Sequence, residues 1–291
     1  MTQLIRTLSE ISDRYDALFV DLWGCVHNGV TAYPEACAAL ENYRKTTGGK
    51  VILVTNSPRP RAQVAEQIKG FGVPDGAWDD IATSGDSARA AMFEGIVGEK
   101  VYHIGTADEG AFFEPLKLLD SPANISRVAL SEAEGIVCTG PFDSLADPSV
   151  NRADFLAAKA RGLKLLCANP DIIVDRGEQR EFCAGALAAL YTEMGGESLY
   201  FGKPHPPIYD LARRRLAVLD RVPDDGILCI GDGIHTDVLG GIGEGLDTLF
   251  ITGGLAAAEF GDDPANPDAR MLSDWLENQQ LSPTAAISFL R

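Results

Sequence analysis

Short apolar runs that alternate with segments of helical pattern constrain the fold of this chain more than any other feature. Clear examples are ALFVDL at 17–22, VILVT at 51–55 and ILCI at 227–230. Such runs are typical of strands that are buried on both faces, and their alternation with helices indicates a parallel sheet. We therefore predict an α/β fold, a doubly wound, Rossmann-like parallel sheet with helices on both faces.

A second α/β series interrupts the first. Its strands are predicted at sites such as 101–104 and 135–138, with helices between them. Alternation of the first kind returns after this series. We therefore predict a core domain of residues 1–85 plus 198–291 that carries an inserted α/β domain at 86–197. The 291 residues are enough for two domains.

Charge and composition exclude some partner classes. The formal net charge of −17 argues against binding to nucleic acid, because nothing would neutralise a run of phosphates. No run approaches the ~18 apolar residues of a membrane-spanning helix, and the polar N-terminal stretch lacks the core of a signal peptide. We expect a cytoplasmic protein with no membrane partner. The six cysteines form no CxxC pair and are predicted to be small buried residues rather than disulfides or zinc ligands.

Reactive residues stand at the ends of four predicted strands. Asp21 ends the first, Thr55 and Asn56 end the second, Lys203 follows a later one, and Asp232 follows ILCI. Ligands of open parallel sheets bind beyond these carboxyl ends. A carboxylate can attack a phosphoryl group as a nucleophile. Two neighbouring carboxylates, Asp21 and Asp232, would repel each other unless a hard cation such as Mg²⁺ joined them.

Four ordered segments carry a family resemblance. They are DLWGCVHNG (21–29), LVTNSP (53–58), GKPHPPIY (202–209) and GDGIHTD (231–237). In order and spacing they resemble the motifs of the haloacid dehalogenase superfamily. The inserted segment and the CANPD stretch (167–171) resemble its class IIA branch, which includes sugar-phosphate and nitrophenyl-phosphate phosphatases. The resemblance spans about residues 17 to 254.

The resemblance implies a Mg²⁺ site in the core domain. Asp21 would be both nucleophile and metal ligand, and the backbone carbonyl of Trp23 would be a second ligand. Asp232 would be the downstream ligand, and Asp237 would support the site without binding the ion directly.

The resemblance also implies a substrate site. Thr55 and Asn56 would bind the phosphate, Lys203 would orient it, and Asn169 and Asp171 of the inserted cap would recognise the substrate. The implied activity is Mg²⁺-dependent hydrolysis of a small phosphorylated metabolite through an aspartyl phosphate. A sugar phosphate and a nucleotide both stay open as substrates, and so does the formation of a homodimer.

One position departs from the family pattern. Phosphatases of the superfamily usually have a second Asp, which protonates the leaving group, where this chain has Trp23. An alternative function is therefore a catalytically weak phospholigand-binding protein, and a third is cleavage of a carbon–halogen or carbon–phosphorus bond. His27, His205 and His235 lie within the motifs, either as substitute acids or as structural residues.

Overall fold

Residues 2–106, 109–115, 121–176 and 179–291 are described by the structure, a computed structural model. Contacts within the chain divide it into two compact units. The first unit comprises Met1–Thr55, Ala65–Ala82 and Tyr209–Arg291, and the second comprises Asn56–Val64 and Thr83–Ile208. The interval 86–197, predicted as an inserted domain, lies inside the second unit, which extends beyond it at both ends.

Strands and helices alternate along most of the described chain. The strands are β1 (Gln3–Leu4), β2 (Ala17–Val20), β3 (Lys50–Thr55), β4 (Asp80–Thr83), β5 (Lys100–Ile104), β6 (Ser126–Arg127), β7 (Gly135–Cys138), β8 (Lys164–Cys167), β9 (Ile173–Arg176), β10 (Gln179–Phe182), β11 (Glu197–Tyr200), β12 (Ile227–Gly231), β13 (Asp247–Ile251) and β14 (Ala285–Ile287). The α-helices are α1 (Pro34–Thr47), α2 (Arg61–Gly70), α3 (Ser84–Phe93), α4 (Arg152–Ala160), α5 (Ala184–Glu193), α6 (Pro206–Leu219), α7 (Leu239–Gly243) and α8 (Ala269–Gln279). Within the described ranges, no helix combines the length and apolar character needed to cross a bilayer.

A seven-stranded sheet forms the centre of the first unit. Its strand order is β1-β14-β13-β12-β2-β3-β4. The six strands from β1 to β3 in this order pair in parallel. Every residue of β2 and β12 is buried, which explains why their sequences are continuous apolar runs rather than alternating ones. The predicted α/β fold class with its parallel sheet is confirmed.

Helix α1 shows how local sequence sets the ends of the elements beside this sheet. Pro34 occupies the first turn, where its missing N–H costs no helical hydrogen bond. Gly48 ends the helix in a left-handed conformation, with φ of 76°, and its N–H donates to the carbonyl of Arg44. The buried side chains of the helix include Leu40 and Tyr43. Burial of each large apolar side chain contributes about 1.5–3 kcal/mol.

A five-stranded parallel sheet forms the centre of the second unit. Its strand order is β11-β8-β7-β5-β6, and β9 and β10 form a separate antiparallel pair. The later strand predicted before Lys203 is present as β11, and it belongs to this sheet through its pairing with β8. In the apolar core beside the sheet, the rings of Phe155 and Tyr191 lie 5.1 Å apart, and the Tyr191 hydroxyl donates to the carbonyl of Leu163 at 2.5 Å.

Candidate active site

Three neighbouring strands of the seven-stranded sheet lead into reactive side chains. Asp21 follows β2, Thr55 ends β3 and Asp232 follows β12. Because β12, β2 and β3 are adjacent and parallel, their carboxyl ends lie along one edge of the sheet. The exposed fractions of these three residues are only 9%, 8% and 4%. The strand order therefore concentrates two carboxylates and one hydroxyl at this edge.

Asp21 and Asp232 lie close enough to share a cation. Three atoms lie within 4.8 Å of one another: one carboxylate oxygen of Asp21, one of Asp232, and Sγ of Cys25. The backbone N–H of Asp21 donates to the carbonyl of Ile230 at 2.9 Å, which joins the ends of the two strands. Two ionised carboxylates at this spacing repel each other, and a hard cation with oxygen ligands removes the repulsion. The two carboxylates therefore fit Mg²⁺.

Two glycines allow the backbone to approach the carboxylate of Asp232. A Cβ atom at Gly24 would lie 2.2 Å from Asp232 Oδ2, and one at Gly254 would lie 2.1 Å from the same oxygen. Gly24 also has φ of 77°, in the left-handed region that favours glycine. The N–H of Leu255 donates to Oδ2 of Asp232 at 3.0 Å. This backbone fixes the carboxylate in a position that a side chain at either glycine would block.

Asp237 organises the loop that carries Asp232. It lies in a single turn of π-helix, Ile234–Val238. Its Oδ2 accepts hydrogen bonds from the N–H of Gly233 at 3.1 Å and from the hydroxyl of Thr236 at 3.2 Å. The carboxylate is buried. It therefore holds the chain immediately after Asp232 in place.

The indole of Trp23 is held by its neighbours in the turn after β2. A Cβ atom at Gly29 would lie 2.2 Å from Cη2 of Trp23, so the indole lies directly against the Gly29 backbone. The ring of His27 meets the indole edge-on at 5.6 Å and meets Phe71 at 5.0 Å. The orientation of the Trp23 ring is thus fixed by packing. An indole N–H donates hydrogen bonds but does not act as an acid.

His27 is the nearest titratable alternative in this turn. Its Nδ1 accepts a hydrogen bond from the N–H of Gly29 at 2.9 Å. Burial lowers the pKa of His27 to about 4. The imidazole is therefore neutral near pH 7, and the hydrogen bond to Nδ1 assigns its proton to Nε2. A neutral imidazole is a poor proton donor, so the contacts of His27 give it a structural role.

Within the second unit, Asn56 joins the segments that carry Lys203 and Asp171. Its Oδ1 accepts from the N–H of Lys203 at 2.7 Å, and its Nδ2 donates to the carbonyl of Lys203 at 3.2 Å. Nδ2 also donates to Oδ1 of Asp171 at 2.8 Å. The N–H of Asp171 in turn donates to Oδ1 of Asn169 at 3.0 Å. Four predicted site residues thus form one hydrogen-bonded group.

Gly202 packs tightly against this group. A Cβ atom there would lie 2.4 Å from Oδ1 of Asn56, 2.6 Å from Cδ of Pro170 and 2.7 Å from Oγ of Ser84. Any side chain at position 202 would push Asn56 away from Lys203. The Lys203 side chain itself is buried.

The other two motif histidines have different surroundings. The ring of His205 stacks on Tyr200 at 4.8 Å with an interplanar angle of 11°, and burial lowers the pKa of His205. His235 lies exposed on the π turn. His205 therefore packs as a structural ring in the second unit.

The predicted site residues fall into two groups, one within each unit. The first unit holds Asp21, Trp23, Thr55, Asp232 and Asp237, and the second holds Asn56, Asn169, Asp171 and Lys203. Sequence reasoning missed Cys25, whose thiol lies with the two carboxylates. Its position four residues after Asp21, inside the same turn, was the available signal.

Comparisons with known proteins agree on one family. Residues 18–117 match a family described as haloacid dehalogenase-like hydrolase, and residues 200–277 match a related family described as HAD-hydrolase-like. The crystal structure of a haloacid dehalogenase-like hydrolase from Brucella suis 1330 is 40% identical to this chain, with a TM-score of 0.84. The match covers 99% of this chain and 100% of that one.

Two further relatives have named activities. The structure of p-nitrophenyl phosphatase from Archaeoglobus fulgidus is 25% identical, with a TM-score of 0.69, and the match covers 94% of this chain and 96% of that one. The 5′-nucleotidase YutF of Bacillus subtilis (strain 168) is 24% identical over 269 residues, which are 90% of this chain and 98% of the relative.

Proposed function

Because the chain belongs to the haloacid dehalogenase-like hydrolase family, we propose that it is a Mg²⁺-dependent hydrolase of a small phosphorylated metabolite. The prediction of a hydrolytic enzyme of this superfamily is confirmed by the family matches and by the relative that is 40% identical. A phosphate monoester as substrate is supported by the activities for which two relatives are named, a p-nitrophenyl phosphatase and a 5′-nucleotidase.

The main support for the proposal is the pair of carboxylates, Asp21 and Asp232, within 4.8 Å of each other at adjacent strand ends. Asp21 and Asp232 would hold the ion, with the carbonyl of Trp23 as a further ligand. When bound, Mg²⁺ neutralises the phosphoryl oxygens and offsets the repulsion between the carboxylates. The buried contacts of Asp237 would keep Asp232 in position for this role.

Asp21 is the proposed nucleophile. A carboxylate oxygen of Asp21 would attack phosphorus, the bond from phosphorus to the ester oxygen would break, and an aspartyl phosphate would form while the departing oxygen takes up a proton from solvent. A water molecule then cleaves the acyl phosphate, which releases inorganic phosphate and restores the Asp21 carboxylate. Thr55, at the end of the adjacent strand β3, would donate its hydroxyl to a phosphoryl oxygen.

Lys203 is the proposed source of positive charge at the phosphate. Lys203 would orient the phosphate, and Asn56 would fix the backbone of Lys203 through the two hydrogen bonds described above. Asn169 and Asp171 would recognise the rest of the substrate, so residues 86–197 would act as a substrate-specificity cap. A sugar phosphate and a nucleotide fit this proposal equally.

A second candidate function is favoured by the packing of Trp23. Its indole replaces the usual acid, and neutral His27 offers no substitute within the same turn. A protein built this way could bind a phosphorylated ligand and turn it over only weakly. A cytoplasmic location, the absence of a nucleic-acid partner and a homodimer stay predictions from the sequence.

Release of inorganic phosphate tests the two functions against each other. The wild-type protein should be assayed with Mg²⁺ on sugar phosphates, nucleoside monophosphates and p-nitrophenyl phosphate, beside Asp21→Asn and a sample treated with chelator. Phosphate release that is lost in both controls is expected for the hydrolase. Tight binding of a panel member by calorimetry without turnover would favour the binding protein, and turnover that survives in Asp21→Asn would refute the proposed nucleophile.

A further inference from the structure

We propose that Cys25 is a sulfur ligand of the Asp21–Asp232 cation site, which therefore also binds a thiophilic divalent cation such as Zn²⁺ or Cd²⁺. The inference rests on the cation site of the proposed function and assigns a new ligand to it. Within the described residues, this is the one group of three His, Cys, Asp or Glu side chains placed to share an ion.

The spacing of the three donor atoms is close to that of ligand atoms around a bound ion. Sγ of Cys25 and the carboxylate oxygens of Asp21 and Asp232 all lie within 4.8 Å of one another. A tetrahedral Zn²⁺ with bonds of ~2.0–2.3 Å holds neighbouring ligand atoms roughly 3.5 Å apart. The distances between the three atoms therefore need to shorten by no more than about 1.3 Å for the atoms to share an ion.

The surroundings of Cys25 favour ligation over a purely apolar role. The residue is only 2% exposed, yet its thiol lies beside two carboxylates rather than in an entirely apolar layer. Gly24 precedes it with φ of 77°, so the turn that brings Asp232 close to the backbone also brings the thiol close to Asp232.

The donor set decides which cations gain from Cys25. Mg²⁺ prefers oxygen ligands and gains no affinity from sulfur, whereas thiolate ligands favour Zn²⁺ and Cd²⁺. When such an ion binds, the sulfur–metal bond forms and the thiol proton leaves to solvent. The site would thus bind Mg²⁺ through oxygens alone and Zn²⁺ or Cd²⁺ through two oxygens and one sulfur.

Cadmium titration of the full chain tests the assignment without any substrate. The wild-type protein should show an ultraviolet thiolate-to-Cd²⁺ charge-transfer band that saturates at one ion per chain. Cys25→Ser should lose this band. Calorimetry should show that its affinity for Zn²⁺ is reduced by at least about tenfold, because loss of a residue that only supports the ligands already costs that much. Cys37→Ser, which changes another buried cysteine of the same unit, should retain both properties.

Cadmium NMR of the wild-type protein guards against a variant that fails to fold. A sulfur-ligated ion resonates far downfield of an ion with oxygen ligands only, and the downfield signal is the expected result. A resonance in the all-oxygen range, or an equal charge-transfer band in folded Cys25→Ser, would overturn the proposal. Neither readout depends on phosphate release, so failure here is distinct from failure of the hydrolase proposal.

Discussion

The backbone N–H of Gly29 donates a hydrogen bond to Nδ1 of His27 at 2.9 Å, and this contact removes that nitrogen from proton transfer. Burial also lowers the pKa of His27 to about 4, so the ring carries no acidic proton near neutrality. General acid catalysis typically contributes about 10²–10⁴-fold. We therefore expect His27→Asn to reduce kcat/KM on phosphate monoesters by a much smaller factor. Steady-state kinetics at pH 7 checks this, and a loss within that range would make His27 the acid after all.

Acid should destabilise the fold through the same residue. The pKa of His27 is about 4 when folded and near its ordinary 6.5 when unfolded. The unfolded chain therefore binds more protons between these values, and stability falls by up to about 3 kcal/mol as the pH drops from 6.5 to 4. Urea unfolding at pH 7 and 4.5, with chelator present, measures this. The free energy of unfolding should change less with pH in His27→Gln than in the wild-type protein. The exposed His235→Gln should behave like wild type, and equal slopes in all three proteins would contradict the assignment.

Restoring a carboxylic acid at position 23 should change which substrates are turned over. Leaving groups of alkyl phosphates need a proton, whereas those of aryl phosphates need little. We expect Trp23→Asp to raise turnover of alkyl phosphates by up to about 10²-fold and that of p-nitrophenyl phosphate much less. Trp23→Asn removes the same indole packing against Gly29 without adding an acid, and it should show no such gain. Equal gains in both variants would assign the effect to space rather than to the acid.

Loss of one carboxylate should abolish the cation site. Asp232→Ala leaves the Asp21 oxygens and the carbonyl of Trp23, and we expect Mg²⁺ affinity to fall by more than about 100-fold, beyond what groups outside the ligand set contribute. Isothermal titration calorimetry measures this directly. Asp247→Ala is the matched control, because Asp247 lies on the adjacent strand β13 and bonds the hydroxyl of Tyr15 instead. Unchanged Mg²⁺ binding in Asp232→Ala would remove Asp232 from the site.

The amide of Asn56 should matter for stability as well as for phosphate binding. Asn56→Ala removes three hydrogen bonds to Lys203 and Asp171, two of which satisfy buried backbone groups. We expect a loss of about 2–3 kcal/mol in the free energy of unfolding and a higher KM. Chemical denaturation is the measurement, with the exposed Asn124→Ala of the same unit as control. A change no larger than that of the control would show that the amide network contributes little.

Much of the fold could be predicted because many elements carry their own local signal. Pro34 marks the start of α1, and the continuous apolar runs of β2, β3 and β12 need no partner to be recognised. Strand β14 has only three residues, AAI, and helix α3 begins with Ser84-Gly85-Asp86, so neither has a clear local pattern. The turn of π-helix before α7 has the same apolar spacing as an ordinary helix, so the sequence alone does not distinguish the two.

The candidate site was predictable where a strand end carries the reactive group. Asp21, Thr55 and Asp232 could be found this way because strand order alone brings them to one edge. The contact of Trp23 with Gly29 and the double hydrogen bond of Asn56 with Lys203 depend on folded geometry that spacing does not encode. Cys25 was interpreted as an ordinary buried residue, because the sequence alone does not distinguish a buried cysteine from one that binds a metal ion.

The order of strands in the seven-stranded sheet also determines when each strand can pair with its neighbours as the chain is synthesised. Strand β2 lies between β3, which is translated soon after it, and β12, which emerges only after the entire second unit has been made. One edge of the strand leading to Asp21 therefore stays unpaired while residues up to 226 are translated, and unpaired strand edges recruit other chains. The second unit has all its residues by Ile208 and can fold first, since domains generally fold as units. We therefore expect the nascent chain to be exposed to aggregation in the interval before β12 leaves the ribosome.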